Sequence, residues 1–143
     1  MDSHSPGAAR PPRTGARKRQ AAIGARVAAL PWAAITASLD ERGFATTGPL
    51  LTASECAALT ASYADTTRFR SRVVMERHGF GRGEYRYFAY SLPDLVAGLR
   101  QALYPYLAPV ANRWNAALQT GQEFPATLEE YLARCHAAGQ TRP

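Results

Sequence analysis

A helical repeat of apolar residues, sustained from Leu92 to Leu118, constrains the fold of this chain more than any other feature. Apolar side chains recur there every three or four residues over more than seven turns, which predicts a helical segment with one buried face. Pro105 and Pro109 fall inside the repeat, and each removes an N–H and crowds the preceding turn. We therefore predict two helices, with Pro105 opening the second.

Capping signals delimit three shorter helices. The spacing Thr-x-x-Glu, in which the Thr hydroxyl accepts from the third helical N–H and the Glu side chain reaches back to the cap N–H, begins at Thr52 and at Thr127. Gly43 offers a left-handed cap to a helix that opens at Pro31. We expect Cys56 to be a small core residue. The predicted helices cover residues 31–42, 52–64 and 127–138.

Alternating side chains predict strands on both sides of a glycine-rich connection. The alternation runs from Phe69 to Glu76 and from Glu84 to Tyr90, and it indicates a long hairpin or two neighbouring strands. It places Tyr85 and Tyr87 on one face of the second strand. On the first strand it places Arg70 and Arg72 together. Residues 44–51 predict a further short strand, so the fold class is α+β.

The basic charge of the chain is concentrated at its start. The formal net charge is +6, yet residues 1–30 carry six basic residues against one acidic residue, and residues 31–143 carry eleven against ten. Prolines stand among Gly, Ala and Arg in the first part, so we predict a disordered basic tail over residues 1–29 and a folded region over residues 30–143. A weak helix near Ile23 to Leu30 stays open, as does a nucleic-acid or membrane-surface role for the tail.

Several classes of site and location have little support. No run of about 18 apolar residues occurs, and the start lacks the apolar core of a signal peptide, so we expect no membrane span and a cytoplasmic protein. The two cysteines form no CxxC pair and have no partners at zinc-site spacing. We therefore expect this chain alone to bind no metal.

Basic and aromatic residues are interleaved between Arg68 and Tyr90. Such a mixture can follow a phosphate backbone and stack bases, although a half-buried strand pair with solvated arginines accounts for the same pattern. Three glycines in the connection permit unusual backbone angles, which suits a loop that moves over a substrate. A phosphate loop is disfavoured because no Lys-Ser/Thr follows. The candidate substrate-binding residues are Arg72, Arg82, Tyr85, Arg86 and Tyr87.

Three segments carry a resemblance to a known family. They run from Phe69 to Phe88, from Leu103 to Asn115 and from Leu132 to Pro143. Through them, residues 31–143 resemble bacterial Fe(II)/2-oxoglutarate-dependent oxygenases, a family similar to prolyl hydroxylases and linked to oxidative repair of alkylated nucleic acid. The resemblance implies a double-stranded β-helix, or jelly roll. The helices and strands of this chain would support one face of it, and its core strands are missing here.

The resemblance also implies a set of cofactors. Such enzymes hold iron with a His-x-Asp pair and a distant His, which leaves positions for 2-oxoglutarate and oxygen, and they hydroxylate a C–H bond of alkylated nucleic acid or of protein. The His-x-Asp pattern is absent from this sequence, so no catalytic residue and no metal ligand is assigned. We expect an N-terminal portion, truncated before the iron ligands and inactive alone. A non-catalytic basic module that binds nucleic acid is the alternative.

Overall fold

The computed structural model of the protein describes residues 14–143 as five α-helices and one two-stranded antiparallel sheet. The helices are α1 (Thr14–Ala28), α2 (Trp32–Arg42), α3 (Ala53–Ser62), α4 (Asp94–Ala117) and α5 (Leu128–Ala137). The strands are β1 (Phe69–Val74) and β2 (Glu84–Phe88), and short 3-10 turns flank β1. The predicted α+β class is confirmed for the residues that the structure describes.

Helix α1 belongs to the folded domain. Its Ile23 and Val27 are 1% and 0% exposed, and they pack where α1 lies along α4. The disordered tail predicted over residues 1–29 is therefore wrong for residues 14–28, whereas residues 1–13 lie outside the described range. The surrounding alanines and arginines concealed a narrow apolar face, made by two β-branched residues four positions apart on one side of the helix.

The close approach of α1 to α4 depends on a glycine. A Cβ placed on Gly98 would lie 3.1 Å from Cγ2 of Ile23, so the missing side chain lets the two helices touch. Arg26 adds a second anchor, because its guanidinium donates to both carboxylate oxygens of Glu55 at 2.8 and 2.7 Å. The folded region therefore includes α1, tied by packing to α4 and by an ion pair to the first turn of α3.

Helix α4 runs unbroken through both of its prolines, so the predicted break at Pro105 is wrong. A proline inside a helix costs about 3 kcal/mol where nothing else holds the segment. Here Tyr106 stacks on Trp32 with ring centroids 4.3 Å apart, and the Tyr104 hydroxyl donates to the carbonyl of Pro125 at 2.9 Å. These tertiary contacts hold the segment helical against its local preference.

The predicted caps are confirmed at two helix ends and in part at a third. The Thr52 hydroxyl accepts from the amide of Glu55 at 3.2 Å, and the Glu55 carboxylate accepts from the amide of Thr52 at 2.8 Å. At α5 half of the predicted capping box is formed: the Thr127 hydroxyl accepts from the amide of Glu130 at 3.3 Å, but the return hydrogen bond from the Thr127 amide to the Glu130 carboxylate is absent. Gly43 closes α2 with a φ of 75°. Helix α3 ends two residues earlier than predicted.

Two expectations between α2 and β1 are wrong. Residues 44–51 form no strand, because the described sheet has two strands and neither lies beside them. Phe44 is 58% exposed there. Cys56, predicted to be a core residue, is exposed. Helix α3 has no fully buried residue, so its tie to α1 is the ion pair of Glu55 with Arg26 rather than an apolar stripe.

Within the part that the structure describes, no single helix is long and apolar enough to cross a membrane. Residues 17–28 and 32–42 reach that length and composition only as a pair, which is bent by 66° at the break between them.

Candidate functional site

The candidate residues lie on or beside one antiparallel hairpin, which β1 and β2 form. The register pairs Val73 with Tyr85 and Arg72 with Arg86, so successive candidates on β2 point to opposite faces. We call one side the tyrosine face; it consists of Arg70, Ser71, Val73, Tyr85 and Tyr87. We call the other the glutamate face; it consists of Phe69, Arg72, Val74, Glu84, Arg86 and Phe88. The hairpin therefore places Tyr85 and Tyr87 on one face and Arg72 and Arg86 on the other, while Arg82 lies in the connection between the strands.

On the glutamate face, one carboxylate holds both predicted arginines. The Arg72 guanidinium donates to Oε2 of Glu84, with Nε at 2.6 Å, and Nη2 of Arg86 lies 3.1 Å from Oε1. The Tyr63 hydroxyl also donates to Oε1, at 2.9 Å. These partners, the hydrogen bond from Arg72 foremost, lower the pKa of Glu84 from 4.5 to about 2. The charges of this face are thus largely committed within the protein.

Arg86 fastens the hairpin to the end of α3. Its side chain is 14% exposed, and its guanidinium lies 4.4 Å from the ring centre of Tyr63 and 5.6 Å from that of Phe69. Nη1 donates to the backbone carbonyl of Tyr63 at 2.9 Å. With this many protein contacts, Arg86 is suited to positioning β2 rather than to meeting a ligand directly.

The tyrosine face is open to solvent. Tyr85 and Tyr87 are 44% and 45% exposed, and their rings meet edge to face with centroids 5.5 Å apart. A register shift between Phe69 and Ser71 brings Arg70 beside Tyr87, where its guanidinium lies 4.7 Å from the ring centre. The shared face of the two tyrosines is as predicted. Arg70 was missed, because a β-bulge leaves no mark on side-chain alternation and moves this arginine away from the face predicted for it.

Arg82 is exposed in the connection between the strands. Gly79, Gly81 and Gly83 around it all have positive φ, at 72°, 86° and 126°, which glycine adopts without strain. The backbone amide of Met75 donates to the carbonyl of Gly83 at 3.0 Å and closes the base of the connection. The unusual backbone angles predicted for these glycines are confirmed, and Arg82 is exposed in the loop that joins the two strands.

The described residues do not fit an iron centre of two histidines and a carboxylate. Residues 14–143 contain no group of three or more His, Cys, Asp or Glu side chains that could hold a metal ion. His78 lies beside Phe80, with ring centroids 6.5 Å apart, and His136 lies beside Tyr90 at 6.3 Å. None of these side chains is assigned to a metal.

Part of the chain matches an oxygenase family in a comparison with known proteins. Residues 83–143, which contain β2, α4 and α5, match the family Oxygenase-NA, described as an oxygenase catalysing oxidative methylation of damaged DNA. This match supports an oxygenase family, as the resemblance of the sequence implied.

Two curated relatives are uncharacterized proteins of Mycobacterium tuberculosis, from strains CDC 1551 / Oshkosh and ATCC 25618 / H37Rv. Each is 47% identical over 55 residues, which are 38% of this chain and 24% of the relative. The chain therefore matches about a quarter of the length of these relatives. No solved structure matches it.

Proposed function

We propose that this chain is the N-terminal portion of an Fe(II)/2-oxoglutarate-dependent oxygenase that acts on damaged DNA. The match of residues 83–143 to a family of DNA oxygenases is the observation that carries the proposal. Two of the three segments that resemble such enzymes, Leu103 to Asn115 and Leu132 to Pro143, lie inside that match, and the segment from Phe69 to Phe88 extends the likeness through the hairpin.

The proposed reaction is hydroxylation of a C–H bond on an alkyl group of a damaged base, with consumption of oxygen and 2-oxoglutarate. Since the described residues do not fit an iron site, its ligands would lie outside residues 14–143, in a protein longer than this chain. The curated relatives are longer than this chain, because the same 55 residues are 38% of this chain and 24% of each relative. The described helices and hairpin would then support one face of a jelly roll.

The hairpin is the part of this chain that we place beside the substrate. Its tyrosine face and Arg82 are exposed, and the ion pairs of Glu84 fix the strand from which Tyr85 and Tyr87 project. A rigid support with an open aromatic and basic surface suits contact with DNA at the mouth of an active site. Among the predicted contact residues, Arg72 and Arg86 would act mainly by holding β2 in place.

Binding of nucleic acid without catalysis is the second candidate function. The tyrosine face favours it, because stacking on tyrosine rings and pairing of arginine with phosphate need no metal. The two candidates differ in one observable. An oxygenase changes the DNA that it binds, whereas a binding module releases it unaltered.

Mass spectrometry of a methylated oligonucleotide distinguishes them. The longest protein that the gene encodes is incubated with Fe(II), 2-oxoglutarate and single-stranded DNA carrying an N-methylated adenine, in air and without oxygen. We expect oxygen-dependent addition of one oxygen atom or loss of the methyl group, with one succinate formed per event. The same oligonucleotide without the methyl group is the control. Binding with no oxidation in air would contradict the oxygenase and leave the binding module.

A further inference from the structure

We propose that the tyrosine face is a stacking platform for single-stranded DNA. One unpaired base stacks on the tyrosine pair, and Arg70 contacts a neighbouring phosphate. This inference rests on the proposed function, because that function supplies DNA as the class of ligand. It goes further by naming the strand form that is bound and the residues that bind it, of which Arg70 lies outside the set predicted from the sequence.

The two tyrosine rings leave part of their aromatic surface exposed. Tyr85 and Tyr87 meet at an interplanar angle of 82°, so they do not cover each other as parallel rings would. Phe69 and Phe88 show the contrast, since their rings lie 4.9 Å apart at 21° and are only partly exposed. The Arg70 guanidinium lies over one face of the Tyr87 ring, so a base stacks on the remaining exposed surface of the pair or displaces this guanidinium toward the neighbouring phosphate.

The tyrosine face carries a positive charge, on Arg70, that is not neutralised by an ion pair within the described residues. Arg70 makes no ion pair with another described residue, and its guanidinium lies 4.7 Å from the ring centre of Tyr87. No strand residue on this face is acidic, whereas Arg72 and Arg86 on the opposite face share Glu84. An arginine held beside an aromatic ring is placed to meet the phosphate next to a stacked base.

An aromatic platform of this kind selects single strands. In a duplex the faces of the bases are covered by their neighbours, so a protein ring reaches them only where the bases are unpaired or extruded. A two-stranded hairpin can lie in a major groove, but its side chains meet base edges there rather than base faces, so stacking on the tyrosines requires unpaired bases. The ligand that fits is therefore a single strand, and an unpaired damaged base within it.

Fluorescence of a single-stranded oligonucleotide that contains 2-aminopurine tests the platform, because stacking on an aromatic ring quenches this base. The whole chain should bind it with quenching, and Tyr87→Phe should do the same because it keeps the ring. Tyr87→Leu should lose the quenching and bind about fivefold to a hundredfold more weakly. Tyr85→Leu provides a second variant, so the test does not depend on one substitution that perturbs folding.

Two further variants separate stacking from general charge. Arg70→Gln should weaken binding and make the slope of log K against log salt shallower by about 0.7, the value for one phosphate of a single strand. Phe44→Leu is the matched control: Phe44 is 58% exposed with Arg42 at 5.1 Å from its ring centre, but it lies outside the hairpin. This control should bind as the unaltered chain does, and melting temperatures show which variants remain folded.

Three results would overturn the platform. They are retention of both quenching and affinity by Tyr85→Leu and Tyr87→Leu, binding of duplex as tight as that of single strands, and tighter binding of RNA of the same sequence. The outcome is separable from that of the proposed function. If the variants bind normally while the protein oxidises methylated DNA, the platform fails and the oxygenase stands. If they lose binding and no oxidation occurs, the platform is supported and the oxygenase is contradicted.

Discussion

Substitutions at the contact between Ile23 and Gly98 test whether α1 is part of the fold. Ile23 is 1% exposed, so Ile23→Ala leaves a cavity between α1 and α4, and such a change costs about 2–5 kcal/mol. Unfolding entropy near 2.1 cal/mol/K per residue gives roughly 0.3 kcal/mol/K for a chain of this size. We therefore expect the melting temperature to fall by roughly 7–17 °C.

Whether Gly98→Ala lowers or raises the free energy of unfolding should depend on the residue at position 23. Its new Cβ would lie 3.1 Å from Cγ2 of Ile23, a β-branched side chain with one favoured rotamer in a helix, so the contact cannot relax easily. Overpacking of this kind costs about 1–3 kcal/mol and exceeds the helix-propensity gain of about 1 kcal/mol. In the Ile23→Ala background Cγ2 is absent, so Gly98→Ala should stabilise the protein.

A double-mutant cycle of four proteins measures this coupling. Urea unfolding followed by far-UV circular dichroism gives the free energy of unfolding of each, and equal m-values ensure that the comparison is valid. We expect a coupling energy of about 1–3 kcal/mol. Equal effects of Gly98→Ala in both backgrounds, within about 0.3 kcal/mol, would refute the packing of α1 on α4.

Three further outcomes follow from single features of the structure. Glu55 and Glu84 have their pKa lowered from 4.5 to about 2, chiefly by arginine hydrogen bonds, so the stability that they contribute is present above pH 4.5 and is lost as the pH falls toward 2. Glu55→Gln and Glu84→Gln should each make the melting temperature fall less steeply as the pH is lowered. An unchanged dependence of the melting temperature on pH would contradict the ion pairs. Gly43→Ala should cost roughly 1–2 kcal/mol because Gly43 has a φ of 75°, whereas Gly24→Ala, inside α1 with open space around it, should be neutral or stabilising in the same urea assay. The chain alone, supplied with Fe(II) and 2-oxoglutarate, should form no succinate above background, and sustained succinate formation would contradict the placement of the iron ligands outside it.

Signals confined to a few neighbouring residues made parts of the fold predictable. The capping box at Thr52 is confirmed because a cap needs only residues within one helical turn. The burial of Ile23 could not be predicted, since it depends on Gly98, which lies far along the chain. The predicted proline break in α4 failed for the same reason, because the stack of Trp32 on Tyr106 joins two distant segments.

The candidate site was likewise predictable only where neighbouring residues determine it. Alternation predicted the hairpin and the shared face of its two tyrosines, because both follow from the period of a strand. The role of Glu84 was not predictable, since its pairing with Arg72 and Arg86 depends on the register and on the rotamers. Arg70 was missed because a bulge shifts the register by one residue.

The most direct test of the proposed function compares the unaltered full-length gene product with its Arg82→Ala variant. The quantity to measure is the catalytic efficiency, kcat/KM, toward methylated single-stranded DNA. Arg82 is exposed, and the hydrogen bond from the Met75 amide to the Gly83 carbonyl is independent of its side chain, so the melting temperature should hardly change. Arg17→Ala, which removes an exposed arginine of α1, is the matched control. We expect oxidation of the DNA by the unaltered protein and the control, with kcat/KM lowered severalfold in Arg82→Ala alone. The proposed function is contradicted if the unaltered protein leaves the DNA unoxidised, and the placement of Arg82 beside the substrate is contradicted if Arg82→Ala has the kcat/KM of the unaltered protein.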